Sequence, residues 1–175
     1  MHGGEWTVTQ GILTGRNGVD WSTNPEKSGS WLRTEREYGD FILELEYAIN
    51  AKGNSGIFIN VQEHDTIPFV WATGPEYQLL DIAHPDYHKM DKRSGCLYGF
   101  GPQKNPVDPK GHGEWNQSRI KQLNGKVEFY QNGVLTVEQD FTTDEWRQKV
   151  AASGFAKFPE FGKKTSGHLA LQDWA

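Results

Sequence analysis

The residues best able to do chemistry in this sequence are acids and amides spaced two apart. Glu76 and Gln78 flank Tyr77, so in an extended segment a carboxylate and an amide share one face while Tyr77 and Leu79 share the other. The same parity pairs Glu44 with Glu46, sets Asn60 beside Phe58, groups Arg119 with Gln117 and Lys121, and places Gln172 with Trp174. Gathered on one concave sheet, such residues compose a sugar site, because acids and amides bond hydroxyls and aromatic faces cover C–H surfaces. Spread out, they are a solvated sheet face, and the spacing admits both. Just downstream, Asp81, His84, Asp86, His88 and Asp91 crowd one short stretch. Their oxygen and imidazole donors suit Ca²⁺, Mn²⁺ or Zn²⁺, with Asp81 as a candidate ligand. They equally suit a direct catalytic role for His84 or Asp81, or a plain turn around Pro85 beside Lys89, Lys92 and Arg93. An ordinary glycosidase needs two carboxyl groups roughly 5 Å apart for retention, or roughly 6.5 to 9.5 Å for inversion. Glu44 and Glu46, about two strand rises of 3.3 Å apart, are compatible with that spacing without being diagnostic of it.

Positioning these groups requires strands. Along 41–49, Phe41, Leu43, Leu45, Tyr47 and Ile49 fall on one face and Glu44 and Glu46 on the other. Gly53-Asn54-Ser55-Gly56 then signals a turn before Ile57–Val61, which predicts a hairpin of these two segments. Asn124-Gly125 and Asn132-Gly133 separate three alternating runs, 118–123, 126–131 and 134–139, the strongest short-range signal for a meander. Further strands are expected at 5–8, 12–14, 30–34, 76–82, 95–98 and 168–173. One short helix is expected from Thr142, where Thr142 and Glu145 have capping-box spacing and Trp146 and Val150 fall four apart. About ten strands and one helix predict an all-β, two-sheet antiparallel sandwich or jelly roll, with surface loops at 83–93 and 99–113.

Composition agrees. The 175 residues include 20 Gly, 8 Pro, 7 Trp, 9 Phe and 6 Tyr, which favours strands and tight turns and fits a single domain spanning 1–175. Cys96 is the lone cysteine, so no intramolecular disulfide can form and cysteine usage does not report a compartment. A net charge of −5 without a basic stripe argues against nucleic acid. No apolar run reaches membrane-spanning length, and Met1–Glu5 lacks the charged and apolar regions of a signal peptide.

Eight segments occur in a recognisable order: Gly39-Asp40-Phe41, Gly53-Asn54-Ser55-Gly56-Ile57-Phe58, Glu76-Tyr77-Gln78-Leu79-Leu80-Asp81, His84-Pro85-Asp86, Gly95-Cys96-Leu97-Tyr98-Gly99, Gly113-Glu114-Trp115-Asn116, Gln131-Asn132-Gly133-Val134 and Leu171-Gln172-Asp173. Together they resemble the 3-keto-disaccharide hydrolase domain family, over nearly the whole sequence. The resemblance implies a concanavalin A-like jelly roll, a secreted or periplasmic bacterial setting, and an oligosaccharide or keto-glycoside substrate. Three departures stand out. Trp174 occupies the usual place of a histidine and Asn60 that of an arginine, and the family's last strand would lie beyond Ala175.

The activity implied is cleavage of a glycoside already oxidised at carbon 3. The ketone acidifies the carbon-2 proton, a base removes it, and the glycosidic oxygen leaves by elimination before water adds back. On this resemblance Glu76 is the base or a metal ligand, Arg119 or a bound cation stabilises the enolate, and His84 is the acid. Glu44, Glu46, Asn60, Gln78, Trp115, Asn116, Gln172 and Trp174 would bind substrate. A non-catalytic carbohydrate-binding module of the same fold is the competing expectation.

Overall fold

The Asn-Gly meander forms one sheet of the sandwich. In the computed structural model, which describes residues 5–16, 30–63, 67 and 69–173, β4 (Phe41–Tyr47), β7 (Asn116–Leu123), β8 (Lys126–Gln131) and β9 (Val134–Asp140) pair antiparallel in that order. Both tight turns place their Asn and Gly at positive φ, 50° and 75° at Asn124-Gly125 and 49° and 80° at Asn132-Gly133, the backbone a twisted hairpin needs. The other four-stranded sheet runs β3 (Ser30–Arg33), β10 (His168–Asp173), β5 (Asn54–Val61), β6 (Glu76–Leu80). We call it the first sheet and the meander the second. A separate hairpin of β1 (Glu5–Thr9) and β2 (Ile12–Arg16) lies against the end of β10, where a Cβ on Gly15 would come within 2.9 Å of Asp173 Cγ.

The expected hairpin of 41–49 with 57–61 does not form. β4 pairs with β7, while β5 lies in the first sheet between β10 and β6. The burial patterns give the reason: β4 alternates between half-buried and exposed, whereas β5 is buried continuously from Gly56 to Val61. A strand with one wet face and a strand covered on both faces belong in different layers.

Between the sheets, Ile57, Ile59, Tyr77 and Leu79 meet Ile120, Val127 and Phe129 in the main core. Several polar groups inside it pair with one another. The Tyr77 hydroxyl donates to Gln131 Oε1 at 2.7 Å, and Asn60 and Gln122 exchange amide hydrogen bonds at 2.8 and 3.0 Å. The helix α1 (Asp144–Ala151) starts one residue later than the capping-box spacing implies: Thr143, not Thr142, accepts the Trp146 N–H. Trp146 anchors it against Phe100, Phe141 and Phe161 and donates from Nε1 to the Gly162 carbonyl at 2.8 Å.

Candidate active site

Because inner positions of the first sheet fill the core, the intervening residues of β6 face away from it. Glu76 and Gln78 therefore lie on the sheet's outer face, as parity predicts. Pairing sets Phe58 opposite Glu76 and Gly56 opposite Gln78 on β5, Ala170 opposite Phe58 on β10, and Trp31 opposite Gln172 across β3 and β10. Continuing the β5–β10 register places Gln172 across from Gly56. The free edge of β6 is covered by 95–98 through three backbone bonds and a bridge of Tyr77 with Leu97, which sets Tyr98 directly across from Glu76. One row thus reads Arg33, Ala170, Phe58, Glu76, Tyr98, and the next reads Trp31, Gln172, Gly56, Gln78, Cys96.

Gly56 makes this arrangement possible. A Cβ there would come within 2.8 Å of Glu76 Cδ, so the carboxyl group lies over the bare backbone of β5, in the row of Gln172 and Gln78. Glycine within a strand marks such a close approach. Gln78 is buried, and its Nε2 donates to Asn54 Oδ1 at 3.0 Å. Among the described residues Glu76 has no hydrogen-bond or ion-pair partner. Burial without a partner disfavours the charged form and pushes its pKa up to about 8, with the Lys92 cation pulling modestly the other way.

Two walls flank these rows. On one side, Phe69 and Trp71 stack with centroids 4.5 Å apart and planes 6° apart, and Trp31 meets Trp71 edge-on at 6.0 Å. Trp31 and Trp71 pack on Phe58 and Ala170, which are floor residues of the Glu76 row, and Phe69 is 39% exposed. On the other side, the loop after β6 folds into short 3-10 turns at Pro85–His88 and Met90–Lys92. Lys92 Nζ donates to Asp86 Oδ2 at 2.9 Å and lies 5.2 Å from the centre of the Tyr98 ring. Hydrogen bonds from Lys89 and Lys92 lower the Asp86 pKa to about 2, and the Tyr98 and Asp86 oxygens raise that of Lys92.

Several expected site residues lie elsewhere. Glu44, Glu46 and Arg119 face outward from the second sheet, on the opposite side of the sandwich from Glu76, because Leu45, Ser118 and Ile120 take the inward positions. Arg119 lies 3.5 Å from Glu44 and 5.5 Å from the Tyr130 ring centre. Asn60 points between the sheets toward Gln122: its φ of 56° and the register shift between His168 and Ala170 reverse the parity after Ile59. Asn116 is fully buried, its Oδ1 accepting from Lys110 N–H, Gln131 and Asn132 and its Nδ2 donating to the Glu114 carbonyl, so it organises loops rather than sugar. Trp115 is 45% exposed just before β7, in the second sheet, and Trp174 lies outside the described residues.

Among the described residues the loop constellation gathers no cluster of ligands, although Asp81 Oδ2 is buried without a hydrogen-bond partner. Asp81 Oδ1 accepts from the Lys52 and Ala83 N–H groups, Asp86 sits between two ammonium groups, and no three potential ligands converge among the described residues. His84 caps the first 3-10 turn, its Nδ1 accepting the Asp86 N–H at 3.0 Å. Lys92, Tyr98, Gly56 and the aromatic wall were not singled out as site residues by their spacing. The one usable signal was Gly56 directly before the apolar run Ile57–Ile59.

Comparison with known proteins adds the chemistry of relatives. The model of a family described as the 3-keto-alpha-glucoside-1,2-lyase-like domain matches residues 1–175. A 3-keto-disaccharide hydrolase of Bacteroides thetaiotaomicron is 30% identical over 191 aligned positions, covering 97% of this chain; the chain spans 65% of that protein's length. A Parabacteroides distasonis protein provisionally named a glycosyl hydrolase superposes with a TM-score of 0.82 at 27% identity, over 97% of this chain and 77% of that one. A carbohydrate-binding module, CBM66 of Bacillus subtilis, shares the fold with a TM-score of 0.59 at 13% identity, over 99% of this chain and 85% of the module.

Proposed function

Since this chain belongs to the 3-keto-alpha-glucoside-1,2-lyase-like domain family, we propose that it cleaves 3-keto-glycosides on the outer face of its first sheet, with Glu76 as general base. The carrying observation is Glu76 itself: a mostly buried, unpartnered carboxyl over Gly56, raised to about 8 and flanked by amides. A base with a pKa in this range is matched to a carbon acid activated by a neighbouring ketone. Glu76 is also the lone carboxylate in the two rows around Gly56. That favours elimination over the two-carboxylate route of ordinary glycosidases.

In the proposed reaction the Glu76 carboxylate takes the carbon-2 proton and the electrons pass to the carbon-3 oxygen. The enolate then collapses, carbon 1 and carbon 2 become doubly bonded, and the glycosidic oxygen departs with a proton. We assign that proton to His84 on the adjoining loop, whose Nε2 the cap leaves unused. Water adds across the new double bond, so the sum is hydrolysis. Gln172 would hold a hydroxyl group, with Gln78 behind it tied to Asn54, and the stacked Phe69–Trp71 pair would cover the leaving sugar.

The test is turnover of a 3-keto-glucoside against the same glucoside unoxidised. Cleavage of the keto form alone, abolished in Glu76→Gln and rising with pH through about 8 in the wild type, supports the reading. Equal cleavage of both sugars would sink the elimination scheme. Binding of sugar without product, unchanged by Glu76→Gln, would make the domain a binding module.

A further inference from the structure

The elimination proposed above needs a positive group at the enolate oxygen, and Arg119 is on the wrong side of the sandwich. Resting on that reading, we propose that Lys92 fills this role: its ammonium, held by Asp86 and Tyr98, donates to the carbon-3 oxygen of the substrate as charge develops there.

The placement is specific. Tyr98 is the residue directly across from Glu76, fixed by its N–H bond to the Glu76 carbonyl at 3.1 Å. Lys92 lies over that ring and is tethered by one 2.9 Å bond to Asp86, which Lys89 also grips at 2.7 Å. An ammonium has three donors; Asp86 and the Tyr98 hydroxyl engage two and leave one for the substrate. Lys92 and Glu76 nonetheless form no ion pair, although Lys92 is the charge that most affects Glu76. A base and a cation that both neighbour Tyr98 without touching each other can act on two nearby atoms of one substrate. Carbon 2 and the carbon-3 oxygen of a keto-sugar are such a pair, two bonds apart.

The electrons balance without any further reagent. As the C–H pair moves into a C2–C3 double bond, the ketone pair moves onto oxygen and is stabilised by the Lys92 N–H. When the ketone re-forms, the C1–O bond breaks and Lys92 remains an ammonium throughout. Hydrogen bonds to the Tyr98 hydroxyl and to Asp86 keep it protonated across the range in which Glu76 ionises. The other groups facing Glu76 are Gln78, Gln172 and the Tyr98 ring. Arg33, at the far end of the row, is neutralised by Glu63 at 2.6 Å.

The experiment uses the full chain and a 3-keto-glucoside, with Lys92→Met, Lys92→Gln and Lys92→Arg. Removing the charge should lower kcat by about 10²- to 10³-fold, the usual effect of deleting one oxyanion donor, with a smaller change in KM. It should also move the ascending limb of the pH profile upward, because Glu76 loses its nearby cation, whereas Lys92→Arg should keep the limb in place and restore part of the rate. Lys92→Gln, similar in length but neutral, guards against a misfolded Met variant. Wild-type kcat in either neutral variant overturns the proposal, as does a loss of rate with an unmoved limb, which would mark Lys92 as a loop tether. Failure of the wild type to cleave any 3-keto-glucoside would instead refute the underlying function.

Discussion

On the outer face of the second sheet, Arg119 meets Glu44 at 3.5 Å and Lys121 meets Glu128 at 3.2 Å, with these side chains 30 to 69% exposed. On the outer face of the first sheet, Glu76 is mostly buried and meets no partner among the described residues. Both faces arise from the same polar–apolar alternation. The charges of the second face remain hydrated and offset one another, and hydrogen bonds from Tyr130 and Lys121 hold Glu128 below the usual carboxylate range. On the first face a charge would be partly stripped of water and have no counter-ion in contact, so its proton affinity rises. Alternation makes a face polar, but desolvation without a partner makes it reactive.

Filling the floor of the first face should break this contrast most severely. Gly56→Ala places a methyl group within 2.8 Å of Glu76 Cδ and must displace the carboxyl group. We expect turnover of a 3-keto-glucoside to fall by about 10²-fold or more, the range a misplaced general base costs. A near-normal rate in a folded Gly56→Ala protein would remove Glu76 from the chemistry.

A stability measurement sharpens the contrast without substrate. The folded pKa of Glu76, about 8, is above its ordinary 4.5, so folding favours the protonated form. The contribution is full below 4.5, is lost as pH rises toward about 8, and stays lost above it. Glu76→Gln removes that dependence. In urea unfolding, the variant should gain on the wild type between pH 5 and pH 8 and hold its advantage at pH 9; parallel curves would mean an ordinary, hydrated carboxylate.

The smallest effect belongs to the other face. Arg119→Ala should leave kcat unchanged and alter stability by no more than about 1 kcal/mol, as exposed ion pairs do. A large loss of turnover would show that both faces serve one reaction.

Much of the architecture was legible before any coordinates. The Asn-Gly turns, the alternation of 41–47 and the parity of Glu76 and Gln78 depend on neighbours a few residues away, and all three took the expected form. The shared groove was not legible in the same way. Parity says that Glu44 and Glu76 each point away from the core, but not that they do so from opposite sides of it. Asn60 shows a finer failure: one residue at positive φ reversed the alternation and turned an expected sugar ligand into an amide bridge to Gln122.

What the sequence determined by itself is local: which segments extend, where they turn, and which side chains share a strand face, because backbone sterics and hydrophobic period act over a few residues. Only the tertiary structure decided which strands share a sheet, that Gly56 lies beneath the Glu76 carboxyl, and that Tyr98, with Lys92 over its ring, stands across from it. Gly56 meets Glu76 and Gln172 from 20 and 116 residues away, and desolvation exists only once distant segments have displaced water.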